Sequence, residues 1–276
     1  VAIGGAMDGD IPDGKTGEEL AKAKAGTAAK ATGAESIAVG HRSSATKQDS
    51  TAIGVAATST GNFALAMGSG ANSAAYGSIS TGLNSKATKD GAIATGTQAN
   101  ASEVGSVAIG SNAQAKHENS VALGTGSATK GAIAYQSDTF FGKRYVFAGG
   151  SPSSVVSIGS EGKERQLVNV AAGRISAIST DAINGSQLHA VTSEMDKGVA
   201  YAGDVKAASA TANQFTRKLG EQTNIVGGVT DPTKLSDNNI GVVSNGSDTL
   251  NVKLAKTLTG LDSVTAGNTT INNGGL

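Results

Sequence analysis

The sequence contains no cysteine, no tryptophan and only three prolines among its 276 residues. The absence of cysteine excludes disulfide bonds and thiolate chemistry, and it is compatible with an exported protein without proving export. Aromatic residues make up 3% of the chain, although large side chains normally supply most of the apolar area of a globular core. The chain must therefore form a narrow solenoid or share its core with partner chains, and we expect both.

An excess of charge of either sign is also missing, because 22 Lys and Arg residues balance 22 Asp and Glu residues. No overall field draws the protein to nucleic acid or to an anionic membrane, so neither is an expected partner. No apolar run approaches membrane-spanning length, so we expect no direct membrane insertion by this segment. The chain starts inside a repeat motif, at Val1-Ala2-Ile3-Gly4. We therefore expect a piece of a longer protein whose anchor lies elsewhere.

Glycine, by contrast, is abundant and periodic. Seven glycines recur at intervals of 14 residues, namely Gly40, Gly54, Gly68, Gly82, Gly96, Gly110 and Gly124. Three positions before them stand Ile37, Thr51, Leu65, Ile79, Ile93, Val107 and Val121, and one position before them stand Val39, Ile53, Met67, Thr81, Thr95, Ile109 and Leu123. Alanine or serine separates these two columns. A fixed period of this kind is the signature of a repeat architecture.

Each repeat is predicted to contain two short strands. Residues two apart point to the same face of a strand, so Ile37 and Val39 share an apolar face while Ala38 points the other way. Small residues three and five positions after each glycine, such as Ser43 and Ala45, predict a second strand with a tightly packed face. Stacked coils form parallel sheets that advance about 4.8 Å per coil. The periodic glycine indicates a tight turn or a close approach of two backbones. The apolar face of the first strand stays uncovered within one coil, so we expect it to pack against another chain.

These residues resemble a known family. Ser36-Ile37-Ala38-Val39-Gly40, Ser106-Val107-Ala108-Ile109-Gly110 and Ser120-Val121-Ala122-Leu123-Gly124 are similar to the head repeats of trimeric autotransporter adhesins of the YadA type, over about residues 34 to 135. The resemblance implies a left-handed parallel β-roll of 14-residue repeats, packed as a homotrimer. The expected fold class is therefore dominated by β-structure.

A second signature resembles the neck of the same family, where the roll narrows into a coiled coil. It comprises residues 166 to 173 and 181 to 188, with Asn169, Asp181, Asn184, Gln187 and Leu188 as the neck residues. After it, Leu188, Val191 and Met195 are spaced as one heptad of a helix seam, which is too short to be stable alone. Gly198 is predicted to end that helix.

The remainder of the chain reads as short strands. Asn245-Gly246 predicts a hairpin between residues 239–244 and 249–254. The segments 215–220, 238–242 and 252–256 resemble a second head module of these fibres, a small β-prism of the GIN type. We therefore predict an irregular start or insertion over 1–33, with a helical stretch at 17–31. It is followed by a head over 34–150, a neck and short coiled coil over 151–198, and a GIN-like module over 199–276.

Candidate sites for chemistry are weak. Three carboxylates lie in a Gly-rich loop at residues 8–14, but the later Glu of an EF-hand is missing, so a solvated turn is favoured over a cation site. The three histidines are far apart in sequence and predict no metal site. No catalytic constellation is recognisable, since chance Ser and Gly matches carry no weight in this composition. We expect no enzyme, no cofactor and no metal.

Two surface features are candidate ligand sites. Lys47, Lys89, Lys116 and Lys130 could align as a basic stripe for sulfated glycans or acidic matrix proteins, but interrupting carboxylates favour an ordinary mixed solvated face. The aromatic segment 140–147 could be an exposed ligand patch. A cap over the last coil is the favoured interpretation of that segment.

The resemblance implies a passenger segment on the bacterial outer membrane, acting in attachment, virulence and biofilm formation. Its expected partners are its own copies in a homotrimer, host extracellular-matrix proteins of the collagen, fibronectin and laminin class, host cell surfaces, and copies on neighbouring cells. The alternative is a structural spacer or stalk whose ligand site lies elsewhere. A solenoid hydrolase would need longer coils and a cleft lined with carboxylates, and neither is recognisable. An ice-binding solenoid would need an uninterrupted column of threonines, but the candidate column contains threonine only at Thr81 and Thr95.

Overall fold

The computed structural model describes residues 1–4, 26–203 and 213–275. It divides into two compact units, Val1–Leu188 and His189–Leu276. The first unit is a β-solenoid of 14-residue coils followed by an irregular segment, and the second contains most of a short α-helix and a set of short hairpins.

One strand of each coil joins a parallel sheet that has nine strands within the described residues. Equivalent residues of successive coils pair directly, as Ile93 does with Ile79 on one side and with Val107 on the other. The strands of this nine-stranded sheet are Ala2–Ile3, Ile37–Val39, Thr51–Ile53, Leu65–Met67, Ile79–Thr81, Ile93–Thr95, Val107–Ile109, Val121–Leu123 and Val156–Ser157. The 14-residue register predicted from the sequence is confirmed.

The second strand of each coil is two residues long and joins another parallel sheet, with seven strands within the described residues. These strands are Lys30–Ala31, Ser44–Ala45, Thr58–Ser59, Asn72–Ser73, Lys86–Ala87, Asn100–Ala101 and Gln114–Ala115. Only small side chains fit between the two sheets, and the buried hydrophobic residues among those described are all alanines. Buried serines complete this interior. The predicted solenoid with a minimal enclosed core is thus confirmed.

The periodic glycines were predicted to allow either a tight turn or a close approach of two backbones, and the structure shows both. Gly54 has φ +129° and Gly68 has φ +131°, which side chains of L residues rarely adopt. A Cβ atom built on Gly54 would lie 2.6 Å from the carbonyl carbon of Gly68 in the next coil. Each periodic glycine from Gly40 to Gly110 therefore lets its coil turn while lying directly against the backbone of the following coil.

The solenoid begins before the periodic glycines do. Ala2–Ile3 pairs with Ala38 and Val39, and Lys30–Ala31 pairs with Ser44–Ala45. Residues 2–3 and 30–31 thus contribute the two strands of a first coil. The insertion predicted between them falls mostly on residues 5–25, which lie outside the described residues, and it stays a prediction. The helix predicted for 17–31 is wrong at its end, because Lys30 and Ala31 pair as a strand, while residues 17–25 lie outside the described residues.

The last coil is covered by a different segment from the one predicted. Val156–Ser157 pairs with Val121 and Ala122 and extends the nine-stranded sheet. The aromatic segment instead forms a separate hairpin, Ser137–Phe140 with Lys143–Val146. The prediction that aromatic residues cap the last coil is therefore wrong, since a strand supplies backbone partners to an open sheet edge and this hairpin does not.

The α-helix Gly185–Asp196 follows, and it ends before Gly198, whose φ is +69°. The predicted helix stop is confirmed. Beyond it lie the hairpins Val199–Ala202 with Gln214–Arg217, Ile240–Ser244 with Leu250–Leu254, and Ser263–Ala266 with Thr269–Asn272, together with the short 3-10 helix Pro232–Lys234. The hairpin predicted around Asn245-Gly246 is confirmed. The GIN-like module and the four domain boundaries stay predictions.

Candidate functional site

The outer surface of the nine-stranded sheet is the apolar face that the repeat predicted. Within the first unit, Ile53, Met67, Ile109 and Leu123 are all exposed in the residue column just before the periodic glycine. Ile109 and Leu123, paired in adjacent strands, are 40% and 46% exposed. Ile53 and Met67 form a second such pair, and Thr81 and Thr95 separate the two pairs in the same column. Exposed apolar side chains on one face of a sheet are the kind of surface that a binding partner covers.

The turns of the solenoid use left-handed backbone conformations that the sequence reasoning missed. Two further columns have φ between +53° and +67° in every coil from residue 35 to residue 126. One column contains Arg42, Ala56, Gly70, Asn84, Gln98, Asn112 and Gly126, and the other contains Glu35, Asp49, Phe63, Gly77, Gly91, Gly105 and Asn119. The recurrence of Gly, Asn and Asp in these columns was the available signal, because these residues tolerate this conformation best.

The four lysines of the predicted basic stripe do not form a continuous row. Lys47 and Lys89 occupy the same column but are three coils apart, with Gly61 and Ala75 between them. Lys116 and Lys130 occupy the neighbouring column in adjacent coils. The stripe stays a prediction, and its geometry favours a mixed surface.

Lys130 is engaged at the end of the solenoid. Its Nζ lies 2.8 Å from Oε2 of Glu161 in an exposed ion pair. The hydrogen bond and the charge of Glu161 raise the pKa of Lys130, and the same contacts with Lys130 lower the pKa of Glu161. A lysine paired in this way offers less attraction to an anionic ligand than a solitary one.

Arg165, which the sequence reasoning did not single out, occupies the position that a further coil would take. Its guanidinium donates to Oγ of Ser127 at 2.8 Å, to the carbonyl of Ile158 at 2.5 Å and to the carbonyl of Thr125 at 2.5 Å. It also lies beside Gly124, the last periodic glycine. One coil earlier, the carbonyl of Ser111, which is equivalent to Thr125, accepts from the N–H of Gly126 in the following coil. Arg165 therefore supplies the Thr125 carbonyl with the donor that a further coil would have provided.

The neck residues converge at the start of the helix. Asn184 donates its side-chain N–H to the carbonyl of Val170 at 3.1 Å, and its Oδ1 accepts from the backbone N–H of Gln187 at 3.3 Å. The Gln187 amide bonds Gly173 twice, accepting from its N–H at 3.1 Å and donating to its carbonyl at 2.6 Å. These two side chains fasten the preceding irregular segment to the helix N-terminus.

Asp181 belongs to the same cluster. Its Oδ2 accepts from the backbone N–H of Arg174 at 3.0 Å and from Nε of Arg174 at 3.1 Å. The backbone hydrogen bond is the main cause that lowers the pKa of Asp181, and the guanidinium bond adds to it. Asn169, the remaining polar neck residue, is exposed with φ +60°.

The helix seam is open to solvent in a single chain. Leu188, Val191 and Met195 are each more than half exposed, and no residue of this helix is buried. In the second unit, the hairpin pairs Ile240 with Leu254 and Val242 with Val252, and all four side chains are exposed as well. Apolar surface is thus left uncovered in each unit.

Other candidate chemistry finds no support in the described residues. No group of three or more His, Asp or Glu side chains in the described ranges could hold a metal ion. His117 Nδ1 lies 2.9 Å from Oγ1 of Thr129, and His189 lies on the helix. The acidic loop 8–14 lies outside the described residues. Within the described ranges, the structure contains no helix with the length and apolarity needed to span a bilayer.

Two family descriptions match the chain. The YadA head domain repeat matches residues 25–43, 45–71, 73–99 and 101–127, and the coiled stalk of trimeric autotransporter adhesin matches residues 166–211. The first covers most of the solenoid. The second covers the neck cluster and the helix, and it extends past the predicted boundary at residue 199.

The chain is also similar to individual adhesins and adhesin domains. Autotransporter adhesin BtaE of Brucella suis is 52% identical over 71 residues, which is 26% of this chain and 10% of that protein. A C-terminal YadA-like domain from Burkholderia pseudomallei is 50% identical, covering 33% of this chain and 44% of its own, with a TM-score of 0.33. The collagen-binding domain of the Yersinia adhesin YadA is 27% identical, covering 70% and 97%, with a TM-score of 0.45.

Proposed function

We propose that this chain, which belongs to the trimeric autotransporter adhesins, works as a homotrimeric passenger segment that attaches bacteria to host matrix or host cells. The observation that supports association is the exposed aliphatic column at Ile53, Met67, Ile109 and Leu123, on a solenoid whose enclosed core is alanine. Burying such a column against copies of the same chain removes apolar area from water. The family description provides the number three.

The neck and the second unit support the same proposal. The helix seam at Leu188, Val191 and Met195 is too short to hold a coiled coil without other contacts, and it follows directly on the fastened neck cluster. The apolar face of the hairpin Ile240–Ser244 with Leu250–Leu254 also needs a cover. Three parallel copies would cover both surfaces with equivalent residues.

The mechanism of adhesion follows from repetition. A solenoid presents shallow, similar surfaces on successive coils, and a trimer presents each of them three times. Weak contacts of this kind add through multivalency without a deep pocket. The expected targets are matrix proteins of the collagen, fibronectin and laminin class and host cell surfaces. We expect the segment to be displayed at the outer membrane, and to contribute to self-association between cells and to biofilm formation.

The association step is tested by light scattering on the whole chain. A mass near three times the chain mass of 27.0 kDa is expected. Met67→Asp with Ile109→Asp should reduce it to that of a single chain, because two carboxylates would be buried unpaired in the interface. Asn72→Asp with Asn100→Asp is the matched control, since it adds the same two charges on the seven-stranded sheet and should leave the trimer intact. A single-chain mass for the unmodified protein would refute the trimer.

The adhesive step is tested separately, by solid-phase binding of the trimer to collagen, fibronectin and laminin. Binding to at least one of these is expected, with weaker binding by the single-chain variant because avidity is lost. If the trimer binds none of the three while cells bearing the complete protein still adhere to them, the segment is a structural spacer and the ligand site lies elsewhere.

A further inference from the structure

Two aromatic side chains stand together on one turn edge of the solenoid. Phe63 and Tyr76 lie in successive coils, with ring centroids 5.4 Å apart and ring planes at 71°. Phe63 is 49% exposed and Tyr76 is 59% exposed. The rings therefore contact each other and solvent, and they contribute little to the alanine interior.

Phe63 is an unusual residue for its position. Its φ is +58°, in the left-handed region that is costly for residues with a Cβ atom. The equivalent positions of the other coils contain mostly residues that suit this conformation better, namely Asp49, Gly77, Gly91, Gly105 and Asn119, and Glu35 is the other exception. Since the turn does not need a phenylalanine and the core does not use it, the strained aromatic residue is best explained by a role at the surface.

Polar side chains flank the aromatic pair in a regular row. Gln48 and Asn62 precede Tyr76 in its own column, one coil apart, and Asp90 follows it. All three are exposed. Oδ1 of Asp90 accepts from the backbone N–H of Tyr76 at 3.2 Å, which leaves the other carboxylate oxygen as an acceptor for a ligand. Amide and carboxylate groups therefore repeat at the coil spacing of about 4.8 Å.

The surface beside the pair is open. Gly77 and Gly91 follow Phe63 in its column, and a Cβ atom built on either would meet no atom within 4 Å. A flat ligand can therefore lie along this edge from the rings toward Asp90 without meeting a side chain from that column. The patch is also small, because two rings provide far less than the roughly 800 Å² per partner that stable protein interfaces bury.

We propose that Phe63 and Tyr76 form a carbohydrate-binding site, with Gln48, Asn62 and Asp90 as its polar groups. A pyranose ring has an apolar C–H face that stacks on an aromatic ring and hydroxyl groups at its edge that hydrogen-bond to amides and carboxylates. The length of one hexopyranose is comparable to one coil step, so an extended oligosaccharide can contact successive coils. The inference deepens the proposed adhesive function and rests on it, by giving the ligand class as host glycans.

The test is saturation-transfer NMR on the whole chain with chitotriose, N-acetyllactosamine and lactose as probes. Signal transfer to the C–H protons of at least one probe is expected, with at least a tenfold weaker affinity for Phe63→Asn with Tyr76→Gln. These substitutions install the residues found at positions 119 and 48 of the same columns, so the turn should still fold. Leu83→Thr is the matched control, because it removes an exposed aliphatic residue from the other turn and should leave sugar binding unchanged.

Each remaining outcome counts against the site. Transfer to none of the three probes, or equal transfer with the double variant, would overturn the proposal. If the double variant also changes the mass measured by light scattering, the rings belong to a contact between copies of the chain instead. If the unmodified chain binds matrix proteins but none of the sugars, the adhesive function stands and only the glycan site is removed.

Discussion

Gln187 and Gly173 are joined by two hydrogen bonds through a single side-chain amide. Oε1 of Gln187 accepts from the N–H of Gly173 at 3.1 Å, and Nε2 donates to the carbonyl of Gly173 at 2.6 Å. The amide thus imitates the backbone of a neighbouring strand. A Cβ atom on Gly173 would lie 2.3 Å from the carbonyl oxygen of Ala182, so the close approach also depends on glycine.

Gln187→Ala should loosen the neck segment while leaving the solenoid intact. The Gly173 amide proton loses its acceptor, so its exchange with solvent should become about tenfold faster, as expected for the loss of about one hydrogen bond. Gln187→Glu keeps the acceptor but places a carboxylate beside the Gly173 carbonyl, so the defect should be relieved at acidic pH as the Glu protonates. Hydrogen exchange followed by NMR measures both. Unchanged protection of Gly173 in both variants would show that this contact does not hold the neck.

Gly68→Ala should destabilise the solenoid strongly. The new Cβ would lie 2.6 Å from the carbonyl oxygen of Gly82 at a residue with φ +131°, so both backbone strain and a steric clash with the next coil arise. We expect a loss of about 2 kcal/mol or more in unfolding free energy, measured by thermal or urea unfolding. Gly77→Asn is the control, because its φ of +59° suits Asn and a Cβ there meets open space. Equal losses in both variants would contradict the close-packed glycine column.

A buried serine pair provides a test of how the interior tolerates polar groups. Oγ of Ser80 and Oγ of Ser85 lie 2.7 Å apart inside the solenoid, and one coil later the same two positions contain Ala94 and Ala99. Ala94→Ser alone should cost about 1 to 3 kcal/mol, because it buries a hydroxyl without its partner. Ala99→Ser alone should cost less, since Ser43, at the same position of an earlier coil opposite Ala38, donates to the carbonyl of Gly40 at 2.8 Å.

The double variant Ala94→Ser with Ala99→Ser should recover most of the loss, since it restores the pair seen at Ser80 and Ser85. A double-mutant cycle based on unfolding free energies measures the coupling. Additive effects of the two substitutions would mean that the hydroxyls find other partners.

The carboxyl group of Asp181 should have a pKa below the ordinary value for aspartate. Its pKa is lowered mainly by the backbone N–H of Arg174 and further by the guanidinium of the same residue, so Arg174→Ala should retain much of the shift. A lowered folded-state pKa means that the stabilisation is present above the ordinary value of 3.8 and is lost as the pH falls through the folded pKa. Carboxyl NMR titration measures the value. Loss of the whole shift in Arg174→Ala would show that the ion pair, not the backbone bond, is its cause.

The candidate site could be predicted from the sequence only in part. The exposed aliphatic column and the neck residues Asn184 and Gln187 were predicted by position, because a period and a family pattern mark them. The pairing of Phe63 with Tyr76 was not predicted. Those residues lie in different columns of consecutive coils, so no single column displays them as neighbours, and the distance between them depends on how the turns are folded.

The sequence alone determined five features of the fold. They are the 14-residue coil, its two strands, the alanine interior, the helix stop at Gly198 and the hairpin around Asn245-Gly246. Each of these features depends on residue spacing or turn chemistry within a short stretch of sequence. The features of the coil are also specified again in every repeat. The tertiary structure decided which segments complete the ends of the stack, with Ala2–Ile3 at one end and Val156–Ser157 and Arg165 at the other. These segments lie outside the period, and a sheet edge accepts any strand that can reach it, so only the folded chain selects the one that pairs.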